Sequence, residues 1–198
     1  EKVAFERVKY MPGKRCVLRY DVELGNQSGE SRRLAFYSKT YSDGRSRSHY
    51  RNLQEIHDRL GNKINIPRPL AHWAEANTFW QEPWAGRPLF DRLDKIDWEE
   101  VFPRLAGVLA AFHKSQCEGL PQVNVYDRAF EAVQEDAQML GWLMPEQQAR
   151  FSRALTTLAA AKEILAAQRV PVAPIHGTMR IEQFLARERE VALVDFDA

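Results

Sequence analysis

Two carboxylates, Asp195 and Asp197, close the apolar run Val191-Ala192-Leu193-Val194, with Phe196 between them. A buried strand that delivers acids at its tip suits a hard divalent cation. Mg²⁺ takes oxygen ligands, and commonly only one or two carboxylates together with substrate phosphates. Ahead of this run lie Phe184-Leu185 and a charged turn from Arg187 to Glu190, so the segment predicts a β-hairpin. Ile175-His176-Gly177 and Thr178 to Gln183 precede it, predicted as a strand and then a tight loop carrying polar working groups. The plainer alternative for the same residues is a surface hairpin with capping carboxylates.

The order His176-Gly177, Gln183 and then a strand ending in Asp195 is similar to the aminoglycoside phosphotransferase and choline-kinase-like family. That resemblance implies an α+β, protein-kinase-like two-lobed fold. It implies a small antiparallel β lobe, a mainly helical lobe, and further C-terminal helices that are missing from this chain. On the family pattern Asp195 falls on a metal-binding Asp, and Asp197 is a second candidate ligand. Gln183 stands where the family has a metal-binding Asn and can offer a carbonyl oxygen. Thr178 stands where it has the catalytic Asp, and a hydroxyl cannot act as a general base at neutral pH. Arg180 takes the place from which many kinases reach the γ-phosphate, and His176 orders the loop.

The elements that must position these groups follow in chain order. Three β-rich stretches between residues 3 and 41 predict a meander, with Gly13, Lys14 and Arg15 at the first turn. In the resembled fold Lys39, near the end of the third strand, pairs the ATP phosphates, and the first turn covers them. Tyr37 shares the face of Lys39. Arg47 to Leu60 predicts a helix with Tyr50, Leu53, Ile56 and Leu60 on one face. The fold implies a helix Glu paired with the strand lysine, and Glu55 is the one available. At about 100° per residue, however, Glu55 points away from the apolar stripe.

Thr78 to Leu89 reads as a strand, a hinge and a Gly-containing turn, where the family binds adenine through backbone groups near Glu82 and Trp84. Pro83 has no N–H to give, which leaves Trp84 or a neighbour as the donor. The lobe boundary is therefore expected at residues 1–85 and 86–198. Asp97 caps the next helix, and Pro103 is expected to kink or split it. His113 is expected to be a structural histidine. Asp127 and Pro145 are expected to start two further helices.

Composition excludes several classes. Lys plus Arg is 28 and Asp plus Glu is 27 in 198 residues, a net charge of +1, which leaves no electrostatic footprint for nucleic acid. A hydrophobic content of 44% suits a packed domain. No apolar run approaches the ~18 residues of a membrane span. The two cysteines, Cys16 and Cys117, are too few for a disulfide framework or zinc site, which predicts reduced thiols and a cytoplasmic location. The resemblance implies one of two function classes. One is an ATP- and Mg²⁺-dependent phosphotransferase acting on a hydroxyl of a small molecule, slowed by Thr178. The other is a non-catalytic, nucleotide-binding or interaction protein that keeps the fold.

Overall fold

The computed structural model describes residues 2–25, 31–122, 124–168, 173–177 and 179–196. Thr178 and Asp197 lie outside the described residues. The chain divides into two compact units, residues 1–120 with 173–198, and residues 121–172.

The first unit opens with the expected meander of three strands, β1 (Lys2–Met11), β2 (Arg15–Gly25) and β3 (Ser31–Tyr41). Helix α1 (Ser46–Leu60) follows, then β4 (Pro69–Trp73) and β5 (Thr78–Gln81). These strands form one antiparallel sheet in the order β1-β2-β3-β5-β4. Asn77 joins sheet to helix. Its Oδ1 accepts from Ser46 N at 3.2 Å, which satisfies one orphan donor at the start of α1. Asn77 itself sits at φ +46°, a conformation that Asn tolerates better than most residues.

A short strand β6 (Arg87–Pro88) leads to α2 (Trp98–His113). Asp97 caps α2 as expected, its carboxylate accepting from the backbone N–H groups of Glu99 and Glu100. The expected break at Pro103 does not occur, and α2 runs on through it. Pro103 lies in the second turn on the exposed face, where the Glu99 carbonyl it leaves without an N–H can face water.

After unit two the chain returns as β7 (Phe184–Arg187) and β8 (Glu190–Leu193), which complete a sheet in the order β6-β7-β8. The hairpin was legible. The strand expected ahead of His176 is not found, and residues 173–176 have no regular structure. The loop instead closes through a 3-10 turn at Ile181–Gln183.

One core joins these pieces. Leu53, Ile56 and Leu60 of α1 pack in it with Leu105, Val108 and Phe112 of α2 and with Phe184, Leu193 and Phe196. Phe112 and Leu193 are fully buried. Residue 86 lies within the first compact unit.

The second unit is a helical hairpin of α3 (Val125–Leu143) and α4 (Gln148–Ala166). Asn124, not Asp127, caps α3, accepting from Tyr126 N and Asp127 N. Pro145 opens a 3-10 turn that leads into α4. Lys162 Nζ donates to Asp127 Oδ1 at 2.9 Å and links the two helices.

Candidate active site

Lys39 occupies the centre of its sheet, between Val17 of β2 and Phe79 of β5. Its side chain is 9% exposed, and its ammonium lies 6.0 Å from the centroid of the Phe79 ring. Burying an ammonium is costly unless a counter-charge meets it. Asp195 supplies that charge. Lys39 Nζ donates to Asp195 Oδ1 at 2.6 Å, between residues 156 apart in the chain.

Asp195 stands just past β8 in the left-handed region, at φ +71°. For a residue with a side chain such a backbone costs on the order of 1–3 kcal/mol and marks places where geometry is imposed by the surroundings. From the end of the three-stranded sheet, the Asp195 carboxylate meets groups on the five-stranded sheet. Its second oxygen, Oδ2, lies 3.4 Å from Nη2 of Arg15, at the start of β2. Sequence reasoning placed Arg15 at the turn but not on Asp195. Its only signal was a cation beside a turn glycine.

The loop is braced from within. His176 is buried; its Nε2 lies 2.9 Å from the Val194 carbonyl oxygen, and its ring is 4.9 Å from that of Phe196. Val194 N in turn donates to the Gln183 carbonyl at 2.9 Å. The Gln183 side-chain oxygen accepts from Arg180 N at 2.7 Å. A carbonyl oxygen has two lone pairs. Gln183 thus spends one on the loop and keeps one for another partner. Gly177 takes φ +88°, which favours glycine at the turn after His176.

The Glu55–Lys39 pair implied by the resemblance is not formed. The Glu55 carboxylate lies 3.4 Å from Arg59 Nε and 3.5 Å from Gly119 N. Helical phase is the reason, since the buried face of α1 carries His49, Leu53, Ile56 and Leu60. His49, which sequence reasoning did not single out, faces a cavity of about 10 Å³ that Lys39, Phe79, Gln81 and Asp195 also line. Its spacing to Leu53 and Ile56 was the available signal.

At the hinge, Glu82 N donates to Arg68 O at 2.8 Å, and the Glu82 carboxylate pairs with the Arg68 guanidinium. That N–H is therefore engaged before any base arrives. Trp84 lies against Gly86, where an added β-carbon would meet the indole ring at 2.0 Å and the Ala186 carbonyl at 3.0 Å. The Arg187 guanidinium sits 5.7 Å from the Trp84 ring centroid. Gly86 is thus required by close approach, and the hinge is clamped to β7.

The solved structures similar to this chain include two aminoglycoside phosphotransferases. One is the ternary complex of streptomycin, ATP and APH(2'')-IIa, at 15% identity and TM-score 0.54, with 89% of this chain and 64% of that one covered. The other is ADP-bound aminoglycoside phosphotransferase APH(2'')-Ib, at 11% identity and TM-score 0.59, with 99% of this chain and 65% of that one covered. The chain has the protein-kinase-like fold of the aminoglycoside phosphotransferases. No protein-family model and no curated protein sequence matches it. It spans less than two thirds of the length of either structure. No helix among the described residues is long and apolar enough to cross a membrane.

Within that fold, Asp195 has the donor chemistry that Mg²⁺ requires. It presents two hard oxygens at a strand tip, each already facing a cation. Gln183 Oε1 can add a neutral oxygen through its second lone pair.

Proposed function

We propose that the protein is an ATP- and Mg²⁺-dependent phosphotransferase acting on a hydroxyl of a small molecule. The observation that carries this reading is the 2.6 Å contact of Lys39 with Asp195, which joins a sheet lysine to a carboxylate at the end of β8. Mg²⁺, when bound, neutralises charge on the phosphates. Asp195 holds it, with Asp197 and Gln183 as further oxygen donors. Lys39 holds phosphate oxygens with a compact charge. Purine hydrogen bonding falls to backbone groups near Glu82 and Trp84, with Trp84 or a neighbour as the donor. Arg180 reaches the transferred phosphoryl group, and His176 keeps the loop in shape through Val194. Phosphoryl transfer depends mainly on such positioning and charge stabilisation.

Thr178, at the position of the family's base, supports a second reading, a nucleotide-binding protein without turnover. One set of measurements separates the two. Calorimetry on the whole protein should show ATP binding that Lys39→Ala weakens and that Asp195→Ala makes insensitive to Mg²⁺. No binding of any purine nucleotide rejects both readings. A phosphorylation screen of hydroxylated metabolites then tests turnover. On the family pattern Thr178→Asp restores the acid at that position and should raise turnover, by at most the ~10²–10⁴-fold a positioned base supplies. ATP·Mg²⁺ binding with neither transfer nor hydrolysis above an Asp195→Asn blank, in wild type and Thr178→Asp alike, selects the binding-protein reading.

A further inference from the structure

A second cavity, of about 450 Å³, opens between the loop that follows α1, one stripe of α2 and the turn into β8. None of its lining residues lines the cavity at Lys39 and Asp195. Its volume falls within the range of about 300–1,000 Å³ usual for small-molecule sites. Ile64, Val108 and Val191, all buried, give it an apolar floor. Lys63, Arg104 and Arg189 bring three cations to it. Glu190, which also lines it, accepts from Arg187 Nη2 at 2.6 Å.

The walls are tied together. Asn65 Nδ2 donates to Val191 O at 3.2 Å, and Leu193 N donates to Asn65 O at 3.1 Å, so the loop is fixed to β8. Arg104 Nη1 donates to Arg189 O, and Nη2 donates to Glu100 Oε1 at 2.6 Å. Both bonds leave further N–H donors of that guanidinium for another acceptor. Gly107 stands in the interior of α2, one turn beyond Arg104, and lines the same cavity. A glycine there weakens a helix relative to alanine. A β-carbon at Gly107 would meet nothing within 4 Å, so packing does not require the glycine. Its effect is to keep the cavity open along α2.

We propose that this cavity binds a small organic carboxylate with an apolar body. The carboxylate takes charge-assisted hydrogen bonds from Arg104, which are stronger than neutral ones. Lys63 and Arg189 add positive charge from the two facing walls. The apolar body lies along Gly107, over Val108 and Ile64, and removes that floor from water. Other ligand chemistries fit less of the site. A free phosphate or a run of acidic residues would match the cations and leave the floor bare. A neutral hydrocarbon would cover the floor and leave the cations unmatched.

The test is NMR titration of the isotope-labelled whole protein with phenylpropionate, hexanoate and indoleacetate, read from the amide signals of Lys63, Gly107 and Val191. The matching alcohols, inorganic phosphate and tetraglutamate are the comparison ligands. At least one carboxylate should shift these amides saturably at millimolar concentration, and its alcohol should bind about tenfold more weakly. Lys63→Gln should weaken the carboxylate about fivefold, the range for loss of one exposed ion pair. Gly107→Leu fills the cavity and should abolish the shifts. Gly107→Ala should raise the melting temperature of the free protein and weaken the carboxylate. These opposite signs are diagnostic, since general damage to the fold lowers both. The proposal is overturned if none of the three carboxylates gives a saturable shift, if an alcohol binds as well as its acid, or if a folded Gly107→Leu binds as wild type does. Should Gly107→Leu not fold, unchanged affinity in Lys63→Gln overturns it. Binding of phosphate or tetraglutamate without any of the carboxylates also overturns it, in favour of a free anion or an acidic protein segment. No nucleotide enters the titration, so its outcome is separate from that of the phosphotransferase reading.

Discussion

Glu55 shows how far one residue's setting can depart from its expected role. Its carboxylate is engaged by Arg59 and Gly119 N, while Lys39 takes Asp195. The lysine's charge is thus balanced from β8 rather than from α1. Glu55→Gln should therefore change ATP affinity by less than about tenfold, or ~1.4 kcal/mol, in the calorimetric assay. A larger loss would place Glu55 in the nucleotide site after all. Gly119 N would lose a charged acceptor in this variant, so a small drop in melting temperature is expected beside it.

Among the elements, α1 was the most legible. Leu53, Ile56 and Leu60 recur at helical spacing, and all three are buried. The start of α3 was missed by two residues, because Asn124 caps it and Asp127 serves another end. There Asp127 accepts a hydrogen bond from Lys162 of α4 and holds that ammonium above the ordinary lysine range. A raised folded-state value means that the stabilisation is complete below the unfolded lysine value. It is lost as pH rises through the folded one. Thermal melts of wild type and Asp127→Asn should accordingly differ near neutral pH and converge in strong alkali. A gap that persists there would assign the effect to packing.

For the whole molecule, the weight lies in the core that receives the returning hairpin. Phe112 is fully buried, 5.7 Å from Phe196 and in one cluster with Leu193 and Leu53. Phe112→Ala removes a ring that holds α2 against the segment carrying Asp195. A loss of about 3–5 kcal/mol in urea unfolding is expected, with Mg²⁺-dependent nucleotide binding weakened in the surviving folded fraction. Intact binding at that cost in stability would show that Asp195 is placed by β7 and β8 alone. The stitching of Asn65 to β8, through Leu193 N at 3.1 Å and Val191 O at 3.2 Å, is the local support such a result would point to.

The amino-acid sequence by itself determined what is local. Alternation set the meander, helical spacing set α1, Asp97 set the start of α2, and the apolar run before Asp195 set a strand with an acid at its tip. Each of these depends on neighbours within one or two turns, where periodicity and capping act. Tertiary structure decided the partners. Periodicity carries no information about which face meets which across 156 residues, and so the pairing of Lys39 with Asp195 had to come from the fold. The same holds for Arg15 on Asp195, Glu55 at Gly119 and Gln183 turned inward to Arg180 N. Those contacts arise because a buried charge or polar group must find a counterpart in the packed interior, and the counterpart is whichever group the fold brings within reach.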